Sequence, residues 1–187
     1  MRKKGFTIIE ILAVIIIIGA ISMIGVISIN AYLANSEKDI YIANLKTFVK
    51  AAKDLYNSDR LAQEPRANEA LIIPLELLEL DQSAGYKSPY GTYIKESTYI
   101  IVTRENDQNT YYIVALDSGD IGINCVRENK LHRREIIIDN IDIDKIKTLD
   151  QISFFGAVLE LDGVEYQYAY DRNTNDSVTT MILKELE

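Results

Sequence analysis

The sequence predicts an α+β fold in which a long N-terminal α-helix packs on an antiparallel β-sheet head. Residues 6–29 are almost continuously apolar, and beyond them Tyr41, Leu45, Phe48, Ala52 and Leu55 recur at helical spacing, with no proline before Pro65. From Tyr99 onward, short β-branched and aromatic stretches alternate with turn-forming residues, among them 105–109 and the dipeptide Asp162-Gly163.

In chain order, residues 1–5 (Met1-Arg2-Lys3-Lys4-Gly5) form a short basic leader. Residues 6–29 would reach roughly 36 Å as a helix, against a ~30 Å hydrocarbon core, and are expected to form its transmembrane half. Thr7, Ser22 and Ser28 are polar side chains that a helix satisfies locally. The leader's positive charges place the N-terminus in the cytoplasm and everything after about residue 30 outside. The apolar run is too long for a cleaved secretory signal, so the plain alternative is an uncleaved anchor carrying a monomeric receptor or sensor head. Gly19 and Gly25 lie within the run, where glycine loosens a helix or lets another approach closely.

Residues 30–60 read as the amphipathic half of the same helix, whose apolar stripe faces the head. Residues 61–187 are one modest α+β head. Within it, residues 71–80 suggest a short helix from Pro74. Strands are expected at 98–103, 110–116, 121–126, 157–161, 164–170 and 178–183.

Lys4-Gly5-Phe6-Thr7-Ile8-Ile9-Glu10 carries the most specific signal. A carboxylate inside an apolar helix costs about 2.5–3.5 kcal/mol at mid-bilayer, so such a residue is usually there for a partner. These residues resemble the type III signal sequence of type IV pilins and the related pseudopilins. The resemblance implies the pilin fold and cleavage by prepilin peptidase between Gly5 and Phe6, with N-methylation of Phe6. It also implies that Glu10 of one subunit meets the Phe6 amine of a neighbour during assembly. The partners it implies are identical or related pilin subunits in a helical filament, the peptidase, an inner-membrane assembly platform, and membrane lipid before assembly. The implied function is that of a major or minor pilin serving adhesion or motility on an extracellular pilus. A pseudopilin of a type II secretion or DNA-uptake apparatus is the alternative within the family. Gly19 matches a glycine often seen there, whereas the proline common in the second half of the segment is missing. Residues 85–93 form a loose version of the family's Pro-aromatic-Gly loop, with Ser88 in place of the usual acid.

Little points to catalysis, and no cofactor is expected. Cys125 is the single cysteine, so no internal disulfide forms, and it reads as a buried strand residue. His132 stands alone in a basic patch and reads as a surface histidine. Asp171, Asn173, Asn175 and Asp176 make an oxygen-rich run; without EF-hand spacing it reads as a turn, with calcium the weaker alternative. Asp139, Asp142 and Asp144 read as a solvated face. The formal net charge of −8 argues against direct nucleic-acid binding. Tyr166, Tyr168 and Tyr170 alternate, so they are expected to share one sheet face, turned to the core.

Overall fold

The structure, a computed structural model, describes residues 5–57, 65–78, 80, 86–132, 145–173 and 179–186, with the side chains of residues 24–28 outside the description. Helix α1 (Ile8–Asn57) opens the chain. Two compact units divide within it, Met1–Glu37 and Lys38–Glu187, and each is described by itself.

In the first unit the large apolar side chains of the helix from Ile8 to Met23 are all exposed. Ser22 Oγ donates to Ile18 O at 2.7 Å, the local satisfaction expected for a hydroxyl in apolar surroundings.

The second unit is built on a sheet. Its strands are β1 (Glu69–Pro74), β4 (Tyr99–Glu105), β5 (Gln108–Leu116), β6 (Gly122–Arg127), β7 (Leu159–Leu161), β8 (Val164–Asn173) and β9 (Thr179–Glu185). They lie antiparallel in the order β6-β5-β4-β1-β9-β8-β7. A separate small hairpin pairs β2 (Lys87–Ser88) with β3 (Gly91–Thr92). Asn106 and Asp107 both take positive φ, as do Asp162 and Gly163. Each pair is the two-residue turn whose twist matches a right-handed hairpin, and each joins the strands that its sequence predicts.

Both faces of the sheet are buried. On one, Leu71, Ile73, Ile100, Val102 and Ile113 meet Tyr41, Leu45, Phe48, Ala52 and Leu55 of α1. On the other, Ile72, Tyr99, Ile101 and Val114 meet Ile152 of α2 (Leu149–Ser153) and Leu159 of β7. Tyr41 and Phe48 also stack against Tyr93, with ring centroids 5.4 Å and 4.9 Å away. The hairpin that carries Ser88 is fastened by a hydrogen bond from Ser88 Oγ to Asp117, a fully buried carboxylate.

Although β6 and β7 close opposite edges of the sheet, they approach one another. Asp162, in the β7–β8 turn, receives Lys130 Nζ at 2.9 Å and Arg127 Nη1 at 3.4 Å. The sheet therefore curls toward closure.

This architecture corrects the expected fold class. The pilin arrangement, a long apolar helix set on a small sheet head, is replaced by a seven-stranded antiparallel sheet that curls and buries both faces. Among the described residues, no helix is long and apolar enough to cross a membrane. The expected single-pass placement, with a cytoplasmic N-terminus and an exported head, is overturned with it. At the start of the run Thr7 caps the helix on Glu10, so the first turn carries a hydroxyl and a carboxylate and Phe6 stays outside it.

Two local expectations also change. Residues 69–74 form an interior strand that was not expected, and the short helix expected from Pro74 is one 3-10 turn, Leu75–Leu77, with Pro74 as its N-cap. A bulge between Tyr168 and Tyr170 shifts the register of β8. Tyr166 and Tyr168 therefore pack on the α2 face and Tyr170 on the α1 face.

Candidate assembly site

The N-terminus of α1 gathers the residues that the sequence singles out. Phe6 is 86% exposed and precedes the helix. Thr7 is the N-cap: its Oγ1 accepts the Glu10 N–H at 3.3 Å. Glu10 answers, its Oε2 accepting both the Thr7 N–H and the Thr7 hydroxyl at 2.8 Å. Ile11 N–H closes the first turn on Thr7 O. This reciprocal pair satisfies donors that a helix otherwise leaves open at its start, and it sets a carboxylate against the positive end of the helix dipole.

Within one chain, then, Glu10 is held by Thr7, and Oε2 accepts both bonds. The pattern Thr7-Ile8-Ile9-Glu10 is a capping-box signature legible in the sequence. Reading Glu10 only as a partner-seeking acid had passed over it.

Around this capped end the surface is hydrocarbon. Ile8 and Ile9 are about four-fifths exposed, and Ile15, Ile16, Ile21 and Met23 are more than half exposed. Among the described residues none comes within 4 Å of the space that the missing Cβ of Gly19 leaves. Gly25 lies in the helix, among the residues whose side-chain surroundings are not described. Gly5 also has open space around it. The leader residues 1–4 lie outside the described residues.

The other candidates do not form a site. Asp171 and Asn173 fall within β8, and Asn173 Oδ1 accepts the Thr179 hydroxyl across the strand pair. Asn175 and Asp176 lie outside the described residues, as do Asp139, Asp142 and Asp144. Among the described residues no group of three or more metal-ligating side chains converges. Cys125 sits in β6 with a positive φ, and its burial pushes the thiol up to about 12. A thiol so poorly ionised is a weak nucleophile.

No family model matches the chain, and neither a curated protein nor a solved structure matches it.

Proposed function

We propose that the chain is a structural subunit of a type IV pilus, cut between Gly5 and Phe6 by a prepilin peptidase and polymerised through its N-terminal helix. The observation that carries this reading is the pairing of one capped carboxylate, Glu10, with an apolar surface that the chain leaves uncovered from Phe6 to Met23. A helix apolar on all sides is ordinarily buried by something, and copies of the same helix bury it in a filament core. Cutting at Gly5 removes Arg2, Lys3 and Lys4 and frees a single amine on Phe6, four residues from Glu10. Glu10 Oε2 is occupied by Thr7, which leaves Oε1 to receive that amine from a neighbour. In an apolar surrounding such a pair attracts far more strongly than in water. Besides copies of itself, the partners on this reading are the peptidase and an inner-membrane assembly platform.

The test is mass spectrometry of the chain purified from cells that hold the peptidase, joined to electron microscopy of sheared fibres. A chain beginning at methylated Phe6, with fibres lost in Glu10→Ala, is the expected result. A chain that keeps Met1, or fibres at the unaltered level in Glu10→Ala, overturns the reading.

A further inference from the structure

The loop after α2 is held far more tightly than its side chains require. Thr148 caps α2 in a capping box with Gln151, the two bonds measuring 2.9 and 3.2 Å. Ile152 is fully buried beneath it. Beyond the helix, Ala157 N–H reaches Gln151 O at 3.1 Å, Gly156 takes φ +60, and Gln167 Nε2 donates to Gly156 O. Phe154 and Phe155 ride on this frame, each 81% exposed. Among the described residues, neither ring belongs to either core.

Elsewhere on the same unit, at the β1–β9 pair, a cleft of about 430 Å³ opens between Arg66, Ala67, Lys184 and Leu186. About 150 Å³ is enough to hold a benzene ring, so the cleft has room for both phenyl groups. Its floor is Glu69, whose charge is already taken up by Arg172 at 2.8 Å. Among the described residues the rim sets the Arg66 and Lys184 cations against Glu185, with Lys184 Nζ also 5.8 Å from the Tyr170 ring. Cations over phenyl faces attract, and Asp150, exposed on α2 beside the two rings, adds an opposite charge.

We propose that Phe154 and Phe155 of one copy seat in the Arg66–Leu186 cleft of a second copy. The proposal rests on the filament reading in one respect: the pair offers on the order of 300 Å², well below the ~800 Å² per partner of a stable interface. Such a contact is strengthened where other contacts repeat beside it, as they do along a polymer. Because ring pair and cleft are different surfaces, the contact is heterologous and propagates from copy to copy. The rigid loop sets the rings before contact, so little ordering is lost on docking.

The experiment uses full-length chains in a Cys125→Ala background. One population carries Phe155→Cys and a second carries Ala67→Cys, and the mixture is treated with a short bis-maleimide. The expected result is a 155–67 inter-chain adduct at least tenfold above the control pair of Phe155→Cys with Lys46→Cys. An adduct at the control level, or Phe155–Phe155 products in the majority, overturns the proposal. So does loss of phosphatidylcholine-vesicle binding in Phe154→Ser/Phe155→Ser while the 155–67 adduct stays at control, which assigns the rings to lipid. The same double variant should keep its unfolding midpoint and lose at least threefold in mean polymer mass; unchanged polymer mass counts against the contact. If the chain is never cut at Gly5 and yet the 155–67 adduct forms, the contact stands and the filament reading fails. If cut fibres form without the adduct, the filament reading stands and the contact fails.

Discussion

Glu69 opens strand β1 with its side chain almost wholly out of water, a placement that a carboxylate tolerates only with partners. It has three. Arg172 Nη2 and the Tyr170 hydroxyl donate to it at 2.8 and 2.9 Å, and the Arg66 N–H at 3.1 Å. Burial works to raise its pKa, and the Arg66 N–H, Arg172 and Tyr170 together outweigh that, leaving the carboxyl below the ordinary value. The native state then holds fewer protons than the unfolded chain. The stability this group contributes is complete above about pH 4.5 and is lost as pH falls through the lowered native pKa. Urea unfolding of the wild-type chain is expected to weaken steadily below that value, with a shallower fall in Glu69→Gln. Equal slopes in the two proteins would show that another group carries the linkage. At neutral pH, Arg172→Ala strands a buried anion and should cost about 3–5 kcal/mol. The apolar pair Glu69→Leu/Arg172→Met should recover most of it.

One helix carries two kinds of apolar surface, and substitution separates them. Leu45 is fully buried against the sheet, so Leu45→Ala should lose about 2–5 kcal/mol of stability in urea titration. Ile15 is 62% exposed in the isolated chain. Ile15→Ala should leave the unfolding midpoint of the sheet unit unchanged and act, on the filament reading, only on polymer mass. A drop in that midpoint would mean that Ile15 packs on its own chain. The buried stripe was legible because a helix half in and half out of a core alternates at its own period. Strand β1 was not: Ala70, Leu71, Ile72 and Ile73 are all buried, since β4 and β9 flank the strand and both faces are covered. A two-sided burial leaves no alternation to read. Pro74 stands at the strand's end, where a missing N–H breaks no ladder, and it caps the 3-10 turn Leu75–Leu77 that follows. The tyrosines of β8 fail for a different reason. A one-residue bulge reverses the face of everything beyond it, and nothing in Tyr166-Gln167-Tyr168-Ala169-Tyr170 announces it. At the candidate site the Thr7–Glu10 cap follows a spacing that the sequence displays, while the Phe154–Phe155 loop was missed. Exposure of an aromatic pair depends on tertiary closure of the loop.

At the scale of the molecule, the consequential feature is the curl that brings the sheet's two ends together. The contact is polar. Arg127, at the end of β6, reaches Glu105 at 3.0 Å and Asp162 at 3.4 Å, and Lys130 reaches Asp162 at 2.9 Å. The Tyr112 hydroxyl lies 2.9 Å from Glu105 and 3.0 Å from Asp162, tying β5 into the group. Asp162 is the hub, and Lys130 with Tyr112 and Arg127 holds its carboxyl below the ordinary value. It also occupies a positive-φ turn position, so an alanine there would mix backbone strain with lost charge. Asp162→Asn avoids that confusion, because asparagine tolerates the same conformation and removes only the charge. The group is about one-third exposed, so the loss should be modest, about 1 kcal/mol, and should shrink in high salt. Its location is the sharper expectation. Amide hydrogen exchange should quicken in β6 and β7, whose outer edges rely on this closure, and stay slow in β1, β4 and β9, which are paired on both sides. Faster exchange spread evenly over all seven strands would mean that Asp162 supports the sheet as a whole, and that the curl does not depend on this one polar contact.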